Sequence, residues 1–96
     1  MAKAKPPTKK QIERRERIRE LGCIVQRTRK HECKGWKIEM HHCGTNAGGR
    51  KNHDKQIPLC QWLHQEISRL SLRVWETIWG TEEEHLAIVE QEEPLS

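Results

Sequence analysis

Between residues 8 and 21 only Ile12, Ile18 and Leu21 interrupt a run of polar and charged positions. That spacing predicts a surface helix with a weak apolar face, N-capped by Thr8 and stopped at Gly22. Residues 23–35 show neither helical nor strand periodicity and read as an irregular loop. From Trp36 the pattern changes: Trp36, Ile38 and Met40 alternate with Lys37, Glu39 and His41, as in a short half-buried strand over 36–42. A glycine- and asparagine-rich loop spans 44–54, and 56–59 reads as a second strand that Pro58 confines to an edge. Helices are expected over 60–70, over 71–79 before Gly80, and from Thr81, where Glu84 completes a capping box. Trp62, Trp75 and Trp79 with Ile67, Leu70, Leu72, Val74 and Ile78 are the expected core. The tail from Glu90 reads as acidic and frayed.

At 96 residues, 33% of them hydrophobic, the chain has room for one thinly cored domain. We assign 1–7 to a basic disordered arm, 8–90 to the domain and 91–96 to an acidic tail. Domains of this size often need a staple, and four cysteines with six histidines favour metal over disulfides. No apolar run has the length of a secretory or membrane-spanning segment, so we expect a cytoplasmic protein with reduced cysteines and no membrane partner. The net charge of +4 hides a gradient: residues 1–30 carry +8, residues 31–60 carry +2 and residues 61–96 carry −6. A basic half of that kind can follow a phosphate backbone, which makes DNA a candidate partner and the first helix a candidate contact.

The adjacent pair His41-His42 and the segment Cys60-Gln-Trp-Leu-His64 carry the candidate chemistry. Imidazole is the commonest metal ligand among side chains and has an ordinary pKa close to neutrality. One histidine of a pair can hold an ion while its neighbour accepts a proton. A third histidine from a distant segment can then close the site. Cys60 and His64 lie four apart and share a helix face. Successive strand residues point to opposite faces, so His41 and His42 can serve one site only if the strand ends, twists or bulges there.

Glu39-Met-His-His-Cys-Gly44, Gly48-Gly-Arg-Lys-Asn-His53 and Ile57-Pro-Leu-Cys-Gln-Trp-Leu-His64 resemble the HNH, or ββα-metal, endonucleases. Within them the chain is most similar to the phage recombination-enhancement family of RecA-dependent nucleases, from about Leu21 to Leu86. The stretch from Arg73 to Leu86 is similar to that family's C-terminal helices. The resemblance implies an α+β fold, a small ββα-metal domain with a basic N-terminal helix and added C-terminal helices. It implies a DNA endonuclease of phage or prophage origin, acting in recombination beside a RecA-type filament, with one divalent ion (magnesium, manganese or zinc). His41 and His64 match the metal ligands and His42 the general base. His53 stands where that family also carries a histidine, and is expected to act at the catalytic site by orienting His42 or contacting phosphate. Arg50 and Lys51 in the loop are expected phosphate contacts, as is Lys55, which stands where HNH enzymes carry asparagine.

Relatives also carry Cys-x-x-Cys near Cys23 and a histidine before the helix ligand, where this chain has Gln26 and Leu63. Cys33 can substitute, giving Cys23, Cys33 and Cys60 as ligands of a structural zinc with a fourth unidentified. The other reading of these cysteines is as small buried apolar residues. A separate, non-catalytic reading closes one zinc site with His41, Cys43, Cys60 and His64 in a DNA-binding module. It leaves the second adjacent histidine without a role.

Overall fold

Thr8 opens the first helix by a reciprocal cap: its side chain accepts from the Gln11 backbone N–H, and the Gln11 side chain accepts from that of Thr8. The computed structural model describes residues 6–29, 32–33, 35–44 and 53–94. Helix α1 is Lys9–Glu20, α2 is Ile24–Arg29, strand β1 is Ile38–His42 and β2 is Gln56–Cys60. Helices α3 (Gln61–Leu70), α4 (Leu72–Trp79) and α5 (Glu82–Glu92) follow. This is a small mixed α/β arrangement built on a two-stranded antiparallel sheet. The register sets Ile38 opposite Cys60, Met40 opposite Pro58, His41 opposite Ile57 and His42 opposite Gln56. Each strand of a two-stranded sheet is an edge, so Pro58 removes no bond that a third strand would need.

All five residues of β2 are buried, because α1, α2, α3 and α5 pack against it. The core comprises Ile18, Ile24, Val25, Ile57, Leu59, Leu63, Trp75 and Val89 together with the cysteines. It therefore differs from the expected one. In α4 the spacing of Leu72, Trp75 and Trp79 turns those three inward, and Trp75 Nε1 donates to the Leu63 carbonyl at 3.1 Å. Val74 and Ile78 occupy the other face and are 45% and 49% exposed. Trp62 is also exposed, and Trp36 lies before β1 and faces solvent.

The segment expected to be a loop contains α2. Its six residues are too few to show a period, and Ile24 and Val25 are weak helix formers. Both are fully buried, which contributes on the order of 1.5–3 kcal/mol each and outweighs propensity. Gly22, at φ +86°, turns the chain between α1 and α2.

Helix α1 is less superficial than its sequence suggests. Ile18 is 1% exposed and Arg14 is 6% exposed. Arg14 Nε donates to the Glu93 carbonyl at 2.9 Å, and its Nη1 donates to the Asp54 carbonyl at 3.1 Å. Arg17 pairs with the Glu93 carboxylate, and Arg27 of α2 pairs with Glu92. The acidic end thus continues as helix to Glu92 and is tied to the basic helices, where a frayed tail was expected. Among the described residues no helix is long and apolar enough to cross a membrane.

Ser71 joins α3 to α4 at φ 75°, ψ 151°, a region that suits glycine and strains a residue with a Cβ. Ser71→Gly should raise stability by about 1 kcal/mol, strain relief exceeding the added chain entropy. A higher urea midpoint at unchanged slope is the expected result; an equal or lower midpoint would show that the turn is unstrained.

Candidate functional site

Strand β1 ends on the two histidines, and the alternation of strand side chains sends them opposite ways. Glu39 and His41 lie on the side that α3 covers. His64 projects from the first turn of α3 toward them, with its ring centroid 5.4 Å from that of His41. His64 Nδ1 is hydrogen-bonded to Glu39 at 2.9 Å. A carboxylate on one ring nitrogen fixes the ring and leaves Nε2 as the ligand atom, the usual arrangement around a metal-bound histidine. Glu39 had no assigned role in the sequence reading, although its place two residues before His41 puts it on the same strand face.

His41 meets a residue that sequence reasoning missed. Its Nε2 lies 2.5 Å from the carboxylate of Glu82, the first residue of α5. A His41 ring nitrogen, the Cys43 sulfur and a Glu82 oxygen all lie within 4.8 Å of one another. Forty-one residues separate His41 from Glu82, and no spacing rule links a strand end to the start of a helix that far along. Only the docking of α5 on β2 joins them. Burial lowers the His41 pKa, an effect that the neighbouring Glu82 carboxylate opposes. Burial likewise pushes the Cys43 thiol well above its usual range, with the Glu82 charge adding to the effect. A bound cation would reverse that balance by favouring the thiolate.

On the other side, His42 Nε2 lies 3.3 Å from His53 Nδ1, with ring centroids 5.2 Å apart. His53 lies at the end of the segment read as a loop, in the turn before β2, where its carbonyl accepts from the Gln56 side chain at 2.7 Å. The structure thus brings His41 to His64 and His42 to His53. Lys55 is exposed beside this end of the sheet, and its carbonyl accepts the Cys43 N–H at 2.8 Å. Arg50 and Lys51 lie outside the described residues.

Cys23, Cys33 and Cys60 form a separate group, all buried, with sulfurs within 4.8 Å of one another. Cys60 ends β2, Cys23 precedes α2, and Cys33 lies between α2 and β1. Burial and the neighbouring thiols push the Cys33 pKa well up, which keeps that thiol protonated unless a cation joins it. Three convergent sulfurs suit zinc, one short of the four that a structural site takes. Gln26 is exposed and Leu63 is buried in the core, so neither adds a ligand to the group. The single closed site of His41, Cys43, Cys60 and His64 does not assemble. Cys60 belongs to the cysteine group, while Cys43 belongs with His41 and Glu82.

The depressed His41 pKa has a definite sign in stability. On acidification the unfolded chain takes up this proton before the folded one does. The contribution is complete above the unfolded value of about 6.5 and is lost as pH falls toward the lowered folded value. In metal-free protein His41→Asn should therefore flatten the decline of unfolding free energy below that pH. Parallel pH profiles for the two proteins would remove His41 as a source of the decline.

Two of the histidine contacts and the cysteine group are built by residues spread over most of the chain. A family model described as "Recombination enhancement, RecA-dependent nuclease" matches residues 7–91. No individually curated protein matches the chain. The match spans α1 to α5 and includes His41, His42, His53, His64 and the three clustered cysteines, and the chain belongs to this family of nucleases.

Proposed function

We propose that this protein is an HNH-type DNA endonuclease of phage or prophage origin. It hydrolyses phosphodiester bonds with one divalent ion and a histidine base, in recombination that involves a RecA-type filament. The observation that supports this reading best is the division of labour at the end of β1. His41 turns toward His64 while its neighbour His42 turns toward His53. A strand that becomes a ligand on one side and a base on the other explains why two histidines are adjacent.

In this reading β1, β2 and α3 form the ββα-metal unit. His41 and His64 hold the ion, with Glu39 orienting His64. Two imidazoles with a nearby carboxylate suit magnesium, manganese or zinc. The ion, when bound, neutralises charge on the scissile phosphate and its transition state. His42 takes the proton from the attacking water, and His53 holds its ring at a fixed angle. Lys55, Arg50 and Lys51 contact phosphates, as do the exposed Lys9, Lys10 and Arg19 of α1. Burial of Ile18 and Arg14 means that α1 cannot be deleted to test this. Charge reversal at its exposed positions can.

The roles separate in mutants. His42→Ala should keep metal and DNA binding while plasmid nicking falls roughly 10²–10⁴-fold. His64→Ala should lose metal and nicking together. Unchanged nicking by His42→Ala would remove the base assignment. Failure of the parent protein to nick DNA with any of the three metals, even beside a RecA filament, would overturn the endonuclease reading.

The cysteine group is proposed as a structural zinc site that supports the thin core. A His41→Ala, His64→Ala double variant should then retain about one zinc per chain, and Cys33→Ser should lose it. A folded, zinc-free double variant would leave the three cysteines as packing residues.

A further inference from the structure

Three glutamates open α5, and a helix N-terminus alone would account for their charge. Their side chains nevertheless divide. Glu83 and Glu84 are exposed, and Glu84 is engaged in the cap with Thr81. Glu82 turns inward, with its side chain 14% exposed and its carboxylate on His41 Nε2. Its own backbone N–H donates to the Glu76 carboxylate of α4 at 2.8 Å, which fixes the first turn of α5 against α4. Among the described residues no lysine or arginine pairs with Glu82, whereas Glu39, the other carboxylate of the site, lies 3.7 Å from Lys37. Glu39 is bound to one nitrogen of His64 and sits outside the convergent donors. Glu82 lies among them: its oxygen, a ring nitrogen of His41 and the Cys43 sulfur are mutually within 4.8 Å, and His64 adjoins this group through its ring contact with His41 at 5.4 Å between centroids.

We infer that Glu82 is a third protein ligand of the divalent ion that His41 and His64 hold, an inference that rests on the metal site proposed above. Two ligand atoms about 2.1 Å from one ion lie roughly 3 Å apart, so the His41–Glu82 contact opens by less than about 1 Å on binding. A carboxylate beside two imidazoles adds a hard oxygen donor and favours magnesium or manganese, leaving positions for water and phosphate. Cys43, in the same group as His41 and Glu82, is a soft ligand that zinc can recruit and manganese leaves unbound. The site therefore takes its full donor set from β1, α3 and α5.

Protein loaded with a single equivalent of zinc, which fills the cysteine group and leaves the histidine site open, is titrated with manganese, with free Mn2+ counted by electron paramagnetic resonance and bound water counted by proton relaxation. Glu82→Gln should weaken Mn2+ binding at least tenfold, and Glu82→Ala, saturated with the ion, should gain about one coordinated water. Circular dichroism and thermal unfolding show whether each variant is folded. Parental Mn2+ affinity in folded Glu82→Gln would overturn the inference and leave an ordinary contact. Weakened binding with an unchanged water count in Glu82→Ala would also overturn it, making Glu82 a positioning residue. In both cases His64→Ala still loses the ion and the proposed metal site stands. If the parent protein binds no Mn2+, or His64→Ala binds it normally, the site and the inference fall together.

Discussion

The antiparallel pairing of β1 with β2, only five residues long, sets the position of nearly everything else in this molecule. Its register fixes where β1 ends, and hence which way each of two adjacent histidines points. It also brings Lys37 opposite the start of α3, whose first residue, Gln61, donates its N–H to the Lys37 carbonyl at 2.8 Å. With no residue between β2 and α3, the direction of the helix follows from the strand, and His64 arrives above His41. A shift of the register by one residue would exchange the faces of all the β1 side chains and part both histidine contacts.

So short a sheet cannot be stable in isolation, and the helices around it supply the burial. Every residue of β2 is enclosed, and Cys60 at its end meets Cys23 and Cys33 from the segments on either side of α2. The steep charge gradient along the chain has a structural use here as well. Arg14, Arg17 and Arg27 from the basic part hold Glu93 and Glu92 from the acidic part. Part of the positive charge that a sequence reading would give to a partner is thereby spent within the fold. The exposed remainder on α1 is what can meet DNA.

The two groups of ligand-type side chains differ in what surrounds them. The cysteine group lies inside the core, where burial suppresses the charge of the Cys33 sulfur and where a cation would be enclosed by protein. The histidine groups lie at the partly exposed end of β1. In the proposed reading that contrast distinguishes a structural zinc site from a catalytic one.

Much of the local architecture was legible in the sequence. Thr8 and Thr81 announce their helices through caps that depend on three neighbouring residues, and the strand pair follows from alternation and the intervening turn residues. The family resemblance also rested on short contiguous motifs around His41, His53 and His64. Helix α2 escaped because its burial, not its period or propensity, makes it a helix. The inward face of α4, the buried Arg14 and the approach of Glu82 to His41 escaped for a related reason. Each is decided by contacts between segments forty or more residues apart, or by which side of a short helix a neighbour covers. Sequence determined the elements and the residues able to do chemistry, because capping, alternation and ligand type act over a few positions. Tertiary structure decided which of them meet, because a carboxylate on α5 becomes part of a site on β1 only when packing of the apolar faces brings those elements together.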